Sequence, residues 1–141
     1  LAALLALNVA LPLRHLAADG NVRWNDDGYL GAWRVMLTER STHVRFNVLD
    51  PVTGREVQVD ATSVLTESPA AAATVRPDLL LATAHLMADD WSTRWSREVQ
   101  VRIDAHVAWN GRPHQRWIDP DVDVAALSRS APGAAYVLDA P

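Results

Sequence analysis

The chain has 141 residues, a formal net charge of −4 and 49% hydrophobic content, enough for one domain with a sizeable core. That balance excludes a nucleic-acid binder working through bulk positive charge, and it excludes a disordered acidic tail. Cysteine is absent and all 13 basic side chains besides histidine are arginine, so disulfides, thiolate metal sites, cysteine nucleophiles, Schiff-base lysines and a Walker lysine are excluded too.

Residues Leu1 to Leu13 are apolar except Asn8, and Arg14 and His15 stop the run. As a helix they cover about 20 Å, less than the roughly 30 Å of a bilayer's hydrocarbon core. Three readings compete: the apolar region of a signal peptide, a buried helix of a water-soluble body, and the last part of a transmembrane helix. The start at Leu1 and the unbroken apolar character favour the third. The expected organisation is a remnant of a transmembrane helix over 1–16 and a β-rich extra-membrane domain over 17–141.

Asp19 to Gly31 is polar and glycine-containing, which predicts a loop in which Trp24 and Tyr29 must pack on something. Trp33 to Leu37 is expected to be a strand. Val44, Phe46 and Val48 alternate with polar residues, Asp50-Pro51-Val52-Thr53-Gly54 supplies a turn, and Val57 and Val59 alternate again. Together they predict a β-hairpin. Ala70 to Ala73 leads into Arg76-Pro77-Asp78, a helix start, and the spacing predicts a helix over 78–90 packed across the sheet. Leu79, Ala82, Leu86 and then Asp90 give mixed spacing, and Leu80, Ala84 and Met87 fill a broader stripe.

Val99, Val101, Ile103, Ala105, Val107 and Trp109 occupy every second position, the longest period-2 run in the chain. Asn110-Gly111 then predicts a two-residue hairpin turn, with 114–118 as the returning strand. Val122 to Leu127 is expected to make one helical turn and 136–138 a short last strand. The fold class expected is mainly β (α+β), with antiparallel β-hairpins forming a sandwich-like sheet domain under one covering helix.

The residues capable of chemistry are few. Asp119, Asp121 and Asp123 resemble the opening of a calcium loop, but Val124 and Ser130 stand where such a loop needs Gly and Glu, so capping of a turn is the simpler reading. His43, His106 and His114 fall on predicted polar strand faces, and a zinc site across strands competes there with plain surface histidines. His85 is expected to be partly buried. Trp109 continues an apolar face and belongs to the core, whereas Trp91 and Trp95 suit a surface or membrane interface. No metal site and no catalytic residue is assigned.

Several segments carry a family resemblance: Leu11-Pro12-Leu13-Arg14-His15, Trp24, Gly28-Tyr29 through Trp33-Arg34-Val35-Met36-Leu37, Asp50-Pro51-Val52-Thr53-Gly54, Arg76-Pro77-Asp78, and above all Asn110-Gly111-Arg112-Pro113-His114 through Asp119-Pro120-Asp121-Val122-Asp123. In order and spacing the chain resembles, from about Asn8 onward, the C-terminal part of vitamin K-dependent γ-carboxylase-like proteins, the horizontally transferred transmembrane (HTTM) family. The resemblance implies an integral membrane parent whose helices lie upstream, with this domain on the extracytoplasmic side. It implies a parent that carboxylates peptide glutamate using reduced vitamin K, oxygen and carbon dioxide. It also implies that this lysine-free part is inactive alone. No cofactor is expected in the fragment itself, and vitamin K hydroquinone is expected in the parent. Its partners would be the upstream helices and a glutamate-containing peptide. The resemblance places His15, Tyr29 and Trp33 near the substrate or quinone site. Thr38 departs from the vertebrate pattern, which has histidine there. The competing functional reading is a non-catalytic β-rich peptide- or protein-binding module that uses an edge strand.

Overall fold

The computed structural model describes residues 1–28, 32 and 39–140; the strand expected at Trp33 to Leu37 lies outside the described residues. Helix α1 (Ala2–Leu13) is built from Ala and Leu, strong helix formers, and runs into a 3₁₀ turn at Arg14–Ala17. Pro12 is its one buried residue. Leu4, Leu5, Leu7, Val9, Leu11 and Leu13 are 43–63% exposed. Asn8 turns its amide back onto the Leu4 carbonyl at 2.8 Å, so even the one polar side chain does not define a polar face. Among the described residues no helix is long and apolar enough to cross a membrane.

Among the described residues the body is a four-stranded antiparallel sheet of order β2-β1-β3-β4, formed by β1 (Arg40–Leu49), β2 (Glu56–Val59), β3 (Gln100–Trp109) and β4 (Gln115–Arg116). Period 2 sets which face is which. Val44, Phe46 and Val48 stand opposite Ala105, Ile103 and Val101, and all six are buried. The other face pairs His43 with His106, Arg45 with Asp104 and Asn47 with Arg102, and it stays polar. Asn110 and Gly111 both take positive φ, 50° and 75°, as the hairpin requires. The returning strand is shorter than 114–118. Pro113 brings no N–H to its start, and after Arg116 the chain keeps only the Trp117 N–H bond to Ala105 (2.8 Å) before Ile118 pairs with Val137. That bridge is what becomes of the expected last strand.

The second layer is helical. Helix α3 (Pro77–Trp95) begins with Pro in its first turn and ends at Ser96, which takes φ 53°. It outruns the predicted 78–90 by a turn and so absorbs Trp91 and Trp95. The structure buries Leu80, Leu81, Ala84 and Met87 on this helix, while Leu86 is 44% exposed. Helix α2 (Glu67–Ala73) was not expected; it presents Ala70 and Ala73 inward and tolerates Pro69 in its first turn. The single turn at Val124–Ala126 is capped by Asp123, whose Oδ1 accepts from the N–H groups of Ala125 (3.2 Å) and Val101 (3.0 Å). The fold is α+β.

Two contacts lock the loop after α1 onto this body. Arg40, at the first position of β1, pairs bidentately with Asp26 (Nη1–Oδ2 2.5 Å, Nη2–Oδ1 2.9 Å). It also donates to the carbonyls of Val75, Arg23 and Trp24, and lies 5.1 Å from the Trp117 ring centroid. Trp24, 1% exposed, donates its indole N–H to the Leu138 carbonyl at 2.6 Å and accepts from the Trp117 indole at 3.3 Å. Because the Arg40 and Asp26 side chains are only 6% and 13% exposed, Arg40→Ala strands a nearly buried carboxylate. We expect a loss of about 3–5 kcal/mol of stability by denaturant unfolding, with Arg40→Lys intermediate.

His85 is 8% exposed and its Nε2 has no partner among the described residues. Burial first, and Arg129 second, hold its pKa below the ordinary value of 6.5; Asp89, the Leu127 backbone and Asp123 oppose the shift. The unfolded chain therefore takes up the proton more readily, and the stability present above that value is lost as pH falls through it. The denaturation midpoint should drop between about pH 7.5 and about pH 5.5, and His85→Gln should flatten that slope while His106→Gln does not.

Candidate functional site

His15 lies in the 3₁₀ turn that ends α1. Its Nδ1 is 2.8 Å from the Pro12 carbonyl, which can only accept, so Nδ1 carries a proton and Nε2 is the lone-pair nitrogen of the neutral ring. The bond satisfies one of the carbonyls left over at the helix end. Opposite this turn Gly28 adopts φ 71°, and a Cβ there would stand 2.8 Å from the His15 Cα. Glycine is thus required twice, for the backbone angle and for the approach.

The neighbouring residues are held from the body side. Asp26 belongs to Arg40, and Asp27 accepts from the N–H groups of Gly133 (2.6 Å) and Ala134 (3.0 Å). Arg76 chelates Asp78 across the start of α3 (Nε–Oδ1 3.0 Å, Nη2–Oδ2 2.5 Å). Between these groups lies a pocket of about 200 Å3 lined by Arg14, Asp26, Asp27, Gly28, Arg76, Asp78 and the chain at 130–132. The arrangement fixes the direction in which α1 leaves the domain and sets one imidazole at the exit. Among the described residues it contains no nucleophile–base pair and no paired carboxylates free to exchange a proton.

Of the three residues singled out from the sequence, the structure therefore places His15, while Tyr29 and Trp33 lie outside the described residues. The structure also places the other candidates. Asp119 accepts from the Asp121 N–H at 2.9 Å and Asp123 caps the turn after it, so these carboxylates are already engaged by backbone. The rings of His43 and His114 meet at 5.1 Å on the polar sheet face and His106 faces His43 across the strands, but among the described residues no three side chains are grouped to hold a metal ion. Trp109 packs edge-on against Trp24 at 5.6 Å, in keeping with its core assignment. Arg40 was not singled out, because nothing in its sequence neighbourhood distinguishes it from a surface arginine at a strand's start.

Residues 1–140 match the family model described as the vitamin K-dependent gamma-carboxylase, lumenal domain. No curated protein and no solved structure matches the chain.

The close approach at the exit can be tested directly. Gly28→Ala should cost about 1–3 kcal/mol in thermal or denaturant unfolding, from the positive φ and the collision with His15. Gly111→Ala, also at positive φ but with open space around it, should cost less.

Proposed function

The chain belongs to the vitamin K-dependent γ-carboxylase lumenal-domain family, and on that premise we propose that it is the C-terminal accessory domain of an integral membrane, HTTM-type protein. The parent would carboxylate peptide glutamate with reduced vitamin K, oxygen and carbon dioxide; the domain would be inactive alone and would lie on the extracytoplasmic side. The observation that carries this reading is α1. A helix apolar on all sides and exposed on all sides is stable only within other apolar material. Continuation into upstream membrane helices supplies that material, and those helices would be the domain's main partner.

Proton removal from a glutamate γ-carbon is beyond any protein side chain at its ordinary pKa, so the reaction calls for a cofactor-derived base. The pocket at the exit of α1 does not fit an apolar quinone. Five of its lining residues, Arg14, Asp26, Asp27, Arg76 and Asp78, are charged, whereas such ligands need a largely apolar slot. The quinone would then sit among the membrane helices. The part of this domain would be to close their extracytoplasmic end, with His15, Tyr29 and Trp33 at the entrance to the substrate or quinone site. His15 is suited to that place, since its Nε2 is left open by the bond to Pro12.

The rival reading, a free-standing module that captures a peptide by adding a strand, is less well supported. The sheet's edges are β2, four residues long, and β4, two residues long, and short edges offer little backbone to a guest strand. The deciding assay is quinone-dependent fixation of labelled carbon dioxide into a glutamyl peptide by the full-length parent. Turnover is expected, and His15→Ala should lower it about tenfold or more with the unfolding midpoint kept. No turnover from the intact full-length parent would overturn the proposal.

A further inference from the structure

At the end of the sheet remote from Arg40, the turn between β1 and β2 and the last turn of α3 enclose a cavity of about 440 Å3 lined by Asp50, Thr53, Arg55, Trp95 and Arg97. Its floor is Asp50, 4% exposed. Both oxygens of that carboxylate are spent. Oδ1 accepts from the N–H groups of Val52 (2.9 Å) and Thr53 (3.3 Å), and Oδ2 accepts from the Thr53 hydroxyl (2.7 Å) and Arg97 Nη1 (3.1 Å). The Thr53 hydroxyl bond, with the backbone donors and Arg97 behind it, keeps the carboxyl below its ordinary pKa against the effect of burial, so it stays ionised.

Both arginines are exposed; Arg97 is tethered by hydrogen bonds and Arg55 rests on an indole face. Arg97 uses Nε on the Trp95 carbonyl (3.3 Å) and Nη1 on Asp50, leaving Nη2. Arg55 stacks on Trp95 at 5.0 Å from the ring centroid, and its guanidinium makes no hydrogen bond among the described residues. Trp95 is itself braced edge-on by Trp91 at 4.9 Å. Arg97 balances Asp50, no second acidic side chain lines the cavity, and the charge of Arg55 is uncompensated. Guanidinium groups fixed in this way lose little freedom when they take up a ligand, and their planar donor pattern matches oxyanions.

We propose that this cavity binds a small oxyanion, a carboxylate or a phosphate, held by Arg55 and the Nη2 edge of Arg97. The proposal is independent of α1 and of the carboxylase reading. The test is titration of the whole chain in neutral detergent with inorganic phosphate and, separately, with succinate, followed by tryptophan fluorescence and by the rise in thermal midpoint. Saturable binding of at least one probe below about 10 mM is expected. Arg55→Gln should weaken it at least about tenfold and abolish the midpoint rise, since it removes a charged bidentate donor. Arg94→Gln, beyond Trp91, should bind as the unaltered chain does. Tighter phosphate binding identifies a phosphorylated ligand and tighter succinate binding a carboxylate; either supports the site. Failure of both probes to saturate, or equal binding by Arg55→Gln, would overturn it. So would equal weakening by Arg55→Gln and Arg94→Gln, the sign of diffuse charge attraction.

Discussion

A buried arginine at the first position of a strand organises this domain. The guanidinium of Arg40 meets the Asp26 carboxylate and three backbone carbonyls, those of Arg23, Trp24 and Val75. It therefore joins the loop after α1, the link between α2 and α3, and the sheet. A charge in such surroundings is costly unless it is paired, and here both terminal nitrogens are taken up by the carboxylate and by loop carbonyls. Trp24 and Trp117 close the knot with indole bonds to backbone. This cluster, together with the Asp27 bonds to the Gly133 and Ala134 N–H groups, holds the loop that carries Gly28 against His15.

The parts of the fold that follow from periodicity were legible in the sequence. The alternations at 44–48 and 99–109 and the Asn110-Gly111 dipeptide give β1, β3 and the turn from β3 to β4, because each is a local pattern with one physical solution. The pairing of β1 with β3 was not legible, since it joins residues some 60 apart and is decided by which apolar faces meet under α3. α2 escaped notice because four alanines carry no amphipathic signal, and Ala70 and Ala73 matter only once the neighbouring surface is known. At the exit of α1 the sequence marked His15 but not the residues that fix it. Gly28 read as a loop glycine and Arg40 as one of 13 arginines; their roles exist only in three dimensions.

The two ends of the sheet are built to different purposes. At the α1 end every charged group whose contacts are described is tied to another or to backbone: Asp26 to Arg40, Asp27 to two N–H groups, Arg76 to Asp78. Such a surface holds a geometry. At the opposite end Arg55 and Arg97 keep donors in reserve around a spent carboxylate. The polar outer face between them, where His43 pairs with His106, separates a mechanical end from a receptive one.

The indole bond from Trp24 to the Leu138 carbonyl bears on how the domain comes into being. One of its first buried residues is completed by one of its last, and the central pair of strands waits for residue 109. During synthesis α1 emerges long before the body can close around Arg40, so the nascent helix spends that interval without its anchor. A chain cut short before Leu138 would leave the buried Trp24 indole N–H without its acceptor, at the cost of an unpaired donor in the core.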